Sequence, residues 1–217
     1  MSEHEKSSRL EELYREYLEH HDTANFLEQV SRKYTQTTLL RLAASGAVEA
    51  RRGVMFALGF LGDYGANDTF GRLLCDPDHG VRLLAEYGIK NIWPRAGSED
   101  QRRKLRDVMR LIASSEFAEA VRLGNILVEE APDYAEARNQ RGIAFFALKQ
   151  YADAIADGME ALVINPYHFG AAIGIAHAYQ LLNEPQRALA AYHRALKINP
   201  GLETAKLQIA RLAKRFE

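Results

Sequence analysis

Ala161-Leu162-Val163-Ile164-Asn165-Pro166 and Ala195-Leu196-Lys197-Ile198-Asn199-Pro200 share one pattern, Ala-Leu-x-Ile-Asn-Pro. Pro132, Pro166 and Pro200 stand at equal intervals along the chain. The register extends beyond the prolines, since Ala120, Ala154 and Ala188 precede them at one fixed offset and Val128, Leu162 and Leu196 precede them at a shorter one. Small and apolar residues locked to a period of about 34 are what stacked helix-turn-helix units require, because one such unit cannot bury its apolar face alone. The sequence therefore predicts an all-α fold, a right-handed α-solenoid of helix-turn-helix repeats, of the kind that presents a binding surface rather than a catalytic pocket.

Read in this phase, the units are 101–134, 135–168 and 169–202, with 203–217 as a final helix. First helices carry apolar residues at helical spacing, such as Ile143, Phe146 and Ala147, or Ile175, Tyr179 and Leu182. Second helices begin near Glu116, Gln150 and Glu184, and Pro185 suits a first turn, where a missing N–H costs nothing. Gly142 and Ala176 on first helices, against Ala120, Ala154 and Ala188 on second helices, allow the backbones to approach.

These residues resemble the tetratricopeptide repeat. The middle unit matches its pattern with Gly142, Phe145, Tyr151, Ala154, Ala161 and Pro166, and the third with Ala176, Tyr179, Ala188, Ala195 and Pro200. Pro185 replaces a usual aromatic, and the first unit departs at Val108 and Leu127 while keeping Leu111, Phe117, Ala120 and Pro132. The resemblance implies a concave groove lined by first helices, with Arg102, Arg106, Met109, Asn139, Ile143, Phe146, His177, Gln180, Arg211 and Lys214 on or near it. With cations at both ends and apolar and amide groups between, the implied partner is a protein or peptide segment carrying acidic groups. The bland alternative is that 102–106 and 206–215 are ordinary solvated helix faces. The clamp by which some relatives hold a chaperone's C-terminal carboxylate is missing, since its Lys, Asn and Arg positions are Leu105, Met109, Gln140, Gly170 and Gly174 here.

Upstream a shorter period takes over: Thr38-Leu39 recurs as Thr69-Phe70 and Arg41-Leu42 as Arg72-Leu73, and at that same offset Arg51, Val54, Leu58 and Leu61 align with Arg82, Ala85, Ile89 and Ile92. Asp76-Pro77-Asp78 closes one helix and caps the next. This region resembles a pair of HEAT-like repeats, preceded by two amphipathic helices over 8–20 and 23–34. Pro94 to Ser98 marks the boundary between the halves. The expected organisation is a helical cap over 1–34, two HEAT-like repeats over 35–97, and three tetratricopeptide units with a capping helix over 98–217. Eleven or twelve helices are expected, in one continuous solenoid bending at Trp93 to Gly97.

Bulk chemistry narrows the function. The 28 basic and 29 acidic side chains leave a formal charge of −1, which supplies no global field for nucleic acid or an anionic membrane, so neither is an expected partner. The polar start of the chain and the absence of any long apolar stretch argue against secretion and membrane insertion, and the single cysteine fits a cytoplasmic protein. Phosphate-binding glycine loops, His-Glu-x-x-His and strand patterns are absent, so no catalytic, cofactor or metal site is expected and the chain reads as a non-enzyme. His20-His21-Asp22 is read as a helix cap rather than a metal site, and Cys75 as a buried thiol. The favoured function is a protein–protein adaptor or scaffold. The alternative is an assembly or lyase-like accessory factor, because short HEAT-like repeats occur in phycobilin lyases.

Overall fold

The repeat register becomes a stack of helix pairs. A computed structural model describes residues 3–214, and every regular element among them is helical. The chain divides between Trp93 and Pro94 into two compact units. The first contains α1 (Glu3–His20), α2 (Thr23–Lys33), α3 (Gln36–Ser45), α4 (Val48–Leu61), α5 (Asn67–Leu73) and α6 (His79–Ile92). The second contains α7 (Glu99–Ala113), α8 (Phe117–Glu130), α9 (Ala135–Ala147), α10 (Tyr151–Ile164), α11 (Phe169–Leu181), α12 (Pro185–Ile198) and α13 (Glu203–Ala213). The final helix of the sequence reading thus ends at Ala213, and 215–217 lie outside the described residues.

Thirteen α-helices are described rather than eleven or twelve. Short stretches such as the one-to-two-turn α5 are separate elements, because the Asp76-Pro77-Asp78 turn ends one helix and starts another. Cys75 corrects the expectation of burial. In this turn Leu74 points inward and is fully buried, which leaves Cys75 exposed. Asp22 behaves as the sequence suggested, with its carboxylate accepting from the Asn25 N–H at the start of α2.

In the first unit α4 is the hub, packed against α1, α2, α3 and α6 with Ala50, Val54, Met55, Ala57 and Leu58 buried. A Cβ added at Gly59 would lie 3.2 Å from the Gly88 Cα, so α4 and α6 meet backbone to backbone. The aspartates of the Asp-Pro-Asp turn tie α6 to α4. Arg51 makes a bidentate pair with Asp76 (Nε to Oδ2 2.9 Å), and Arg52 makes one with Asp78 (Nη2 to Oδ2 2.6 Å). Asp78 also caps α6, accepting from the Val81 N–H at 2.8 Å. The Arg52 hydrogen bond, helped by backbone N–H donors, lowers the Asp78 pKa to about 2.

In the second unit the helix-turn-helix breaks are built alike. Ser115, Lys149 and Asn183, spaced by the repeat, are all left-handed, with φ of 61°, 62° and 57°. After each, a backbone N–H reaches back over the last turn: Glu116 to Leu111, Gln150 to Phe145, and Glu184 to Tyr179, at 2.8–2.9 Å. Together with the Ser115 to Ile112, Lys149 to Phe146 and Asn183 to Gln180 bonds, this is the Schellman closure that satisfies the final carbonyls of a helix. The Asn of each Asn-Pro pair has a similar task. Asn165 and Asn199 are almost fully buried, and their side-chain oxygens accept from the N–H groups of Tyr167 and Gly201.

Two expected outcomes test this packing. Ala154 is 8% exposed, and its carbonyl oxygen would lie 3.4 Å from a Cβ added at Gly142, so Ala154→Trp overfills the α9–α10 contact. It should destabilise the protein by about 1–3 kcal/mol in chemical denaturation, and an unchanged midpoint would refute this packing. The second concerns acid. Because the folded pKa of Asp78 lies below its unfolded value, its contribution is full above about pH 4 and fades as pH falls through about 2. Asp78→Asn keeps a capping side chain but removes the charge, so denaturation midpoints followed from pH 5 to pH 2 should fall less steeply than in the wild type.

Candidate functional site

Four residues at helical spacing on α9, Asn139, Gly142, Ile143 and Phe146, face Gly170, Ala171, Gly174, Ile175 and His177 of α11 across Ala154 and Gly158 of α10. They enclose an open cavity of about 220 Å³. Its existence depends on missing side chains. A Cβ added at Gly174 would meet nothing within 4 Å, and one at Gly170 would meet only the His168 ring, at 3.6 Å. Gly158 acts in the opposite sense: a Cβ there would come within 2.7 Å of Ile175 Cγ1, so its absence lets α10 and α11 close beneath the cavity.

The walls are apolar with two polar side chains. Ile143 is 41% exposed, and Phe146 rests edge-on against Tyr151 with ring centroids 5.5 Å apart. His177 is half-buried beside Tyr192, and desolvation lowers its pKa, so near neutral pH it presents an uncharged imidazole with one donor and one acceptor. Asn139 contributes the amide.

Buried polar pairs hold the helices that carry these groups. His168, 1% exposed, joins Glu136 of α9 through Nε2 to Oε2 at 2.8 Å, while its Nδ1 accepts from the Ala171 N–H at the start of α11. That backbone donor fixes the tautomer: the ring proton sits on Nε2 and is donated to the carboxylate. Glu136 also accepts from Gln140 at 2.6 Å and, at 3.5 Å, from Asn139 of the cavity wall. Arg141 of α9 spans both carboxylate oxygens of Asp157 on α10 and reaches Asn125 of α8 at 2.9 Å. Gly124 makes room for it, because a Cβ there would lie 3.0 Å from Arg141 Cγ.

Of the ten residues inferred from sequence, Asn139, Ile143, Phe146 and His177 line this cavity together. Gln180 is instead engaged internally, accepting from the Tyr192 hydroxyl at 2.6 Å and donating to Gln208 at 3.4 Å. Arg102 is half-buried and Arg106 and Met109 are exposed on α7, while Arg211 and Lys214 are exposed at the end of α13, and none of these five lines the cavity. Gly170 and Gly174 of α11, which in the sequence stand only as a missing clamp, are what leave the cavity open. Their placement one turn apart on a first helix was the available signal.

No family profile matches the chain. A TPR repeat-containing protein of Rhizobium etli is 29% identical over 141 residues, covering 65% of this chain and 68% of its own. The Arabidopsis OM64 TPR domain aligns in structure with a TM-score of 0.52 at 22% identity, covering 53% of this chain and 95% of its own. The first TPR of Spaghetti (RPAP3), bound to the HSP90 peptide SRMEEVD, aligns with a TM-score of 0.53 at 19% identity over 55% and 95% of the two chains. About half of the chain has the tetratricopeptide-repeat fold. In tetratricopeptide terms the cavity lies between the first helices of the second and third units, with the second helix of the middle unit as its floor.

Removing one partner of the buried pair should be costly. His168→Leu leaves Oε2 of the buried Glu136 carboxylate without its His168 donor and should destabilise the fold by about 3–5 kcal/mol in urea denaturation. The double variant Glu136→Leu, His168→Leu should recover part of that loss, and equal losses in the two would contradict a coupled pair.

Proposed function

We propose that this protein is a non-catalytic cytoplasmic adaptor that holds a segment of a partner protein in the tetratricopeptide groove. The observation that carries this reading is the open apolar cavity between α9 and α11, where Gly170 and Gly174 leave space for an incoming side chain. Ile143 and Phe146 supply burial, and Asn139 and the neutral His177 supply a donor–acceptor set for a peptide backbone. Arg102 and Arg106 at one end, with Arg211 and Lys214 at the other, favour a segment flanked by acidic residues, and the exposed Met109 extends the contact on α7. The HEAT-like reading of the first unit adds a second helical surface to the same scaffold.

The chaperone peptide bound by the structurally similar RPAP3 domain suggests peptide capture, but by a different grip here. Gly170 and Gly174 occupy clamp positions, and they offer volume in place of charge. The favoured occupant is therefore an internal segment with a bulky apolar residue, not a C-terminal carboxylate.

Gly174→Leu tests this reading directly. Replacing a helix-interior glycine that has open space around it removes a penalty of about 0.8–1.0 kcal/mol, so folding should be preserved or improved. The leucine takes up cavity space, and since a single methylene in an apolar pocket is worth about 1–3 kcal/mol, affinity for the natural partner should fall by at least roughly 10–200-fold. Calorimetric affinity equal to wild type would remove the groove as the docking place. Reversing charge in Arg106→Glu, Lys214→Glu should weaken the same complex and reduce its dependence on salt.

A further inference from the structure

The three second helices of the repeats differ sharply in charge. α8 carries Glu119, Glu129 and Glu130 with one cation, Arg122, which pairs with Glu119. α10 carries Asp153, Asp157 and Glu160 and no cation. α12 reverses the sign, with Arg187, Arg194 and Lys197 and no acidic residue between Pro185 and Ile198. Arg187 and Arg194 lie two turns apart on one face, separated by about 10.5 Å along the axis at roughly 1.5 Å per residue.

Those two arginines border a cleft of about 280 Å³ whose other walls include Met159 and Leu162 of α10, Tyr179 of α11 and Ala190 of α12. It shares only Ile175 with the cavity between α9 and α11. The Arg187 guanidinium carbon sits 5.6 Å from the centre of the Tyr179 ring and pairs with Glu184, which pre-orients it. The side chains of Arg194 and Lys197 make no hydrogen bond or ion pair with any other described residue. In the same cleft as Arg194, Met159 is 43% exposed, so apolar surface and an uncompensated cation adjoin. Ala190 keeps the gap between the arginines shallow.

We propose that this cleft is a second docking site, and that its occupant is an acidic amphipathic segment of another protein. One apolar side chain enters between Met159 and Tyr179, and two carboxylates two helical turns apart meet Arg187 and Arg194. Apolar contact without carboxylates would cover Arg194 with no compensating charge. An extended polyanion such as nucleic acid is disfavoured, because α10, which supplies Met159 and Leu162 to the cleft, carries acids and no cation and so does not extend the positive surface. With the groove between α9 and α11, the protein then has two separately addressable docking places.

The test uses the full chain and a fluorescein-labelled synthetic amphipathic helix whose glutamates are spaced as Arg187 and Arg194 are, with leucines between them on the same face. Anisotropy should show saturable binding that falls on the order of tenfold in Arg194→Glu and is unchanged in Gly174→Leu. Arg194 has no side-chain partner to lose, so its variant keeps the fold, which circular dichroism checks. Peptides with glutamates changed to Gln or leucines to Ser should each bind more weakly. The proposal is overturned by absence of saturable binding, by equal affinity in Arg194→Glu, or by a polyglutamate or an oligonucleotide binding as well as the amphipathic probe. It is also overturned if sedimentation shows that the wild type self-associates and Arg194→Glu does not, which would assign the cleft to a second copy. Loss of binding in Gly174→Leu alone would move the acidic segment to the groove instead.

Discussion

The second unit depends on one steric fact: at Gly158 there is no room for a side chain. A Cβ there would lie 2.7 Å from Ile175, well inside any normal contact, so α10 and α11 can reach their separation only with glycine at that position. Between α9 and α10 the demand is absent, since a Cβ at Gly142 would meet the Ala154 carbonyl oxygen at an ordinary 3.4 Å. Once the helices are drawn this close, the side chains of α9 and α11 are displayed on one side of α10, and whatever those two helices lack becomes open space. Gly170 and Gly174 lack a great deal. Tight packing beneath and emptiness above follow from the same residue type used at two kinds of position, one crowded and one open.

Close packing alone would leave the groove's walls free to slide, and buried polar pairs restrain them. Glu136 and His168 join α9 to the start of α11, far apart in the chain, and Arg141 with Asp157 and Asn125 joins α8, α9 and α10. Such pairs add little net stability over apolar replacements, but they penalise any arrangement that leaves a charge unpaired. Their effect is therefore on geometry. Asn139 belongs both to the cavity wall and to the edge of the Glu136 network, so the wall is oriented by the same bonds that join the helices. In the first unit the bidentate Arg51–Asp76 and Arg52–Asp78 pairs fix α6 against α4 in a comparable way.

Much of this was legible in the sequence because steric requirements repeat in phase. Alanine at 120, 154 and 188 and proline at 132, 166 and 200 located the pairs, and the polar breaks located the left-handed residues without revealing their conformation. Asn139, Ile143, Phe146 and His177, which the tetratricopeptide resemblance implied for the first-helix face, line one cavity together. Gln180 shows where phase stops being informative: it lies one turn beyond His177, yet the Tyr192 hydroxyl, on another helix, takes up its side-chain oxygen. Cys75 shows another limit, since the identity of neighbours in Leu73-Leu74-Cys75 does not say which residue a tight turn rotates outward. Glycines 170 and 174 were visible as letters, but an absent side chain signals close packing and open volume equally well. Only the positions of neighbouring atoms separate the two.

The second unit thus combines an uncharged, glycine-opened cavity with charged helix faces elsewhere on the same helix pairs. The most direct measurement is NMR of the full chain, with assigned isoleucine methyl and histidine ring signals, during titration with its natural partner. Occupancy of the groove predicts saturable shifts at Ile143 and His177 with little change at His79 of the first unit. Silent Ile143 and His177 signals, with shifts confined to the first unit, would contradict it.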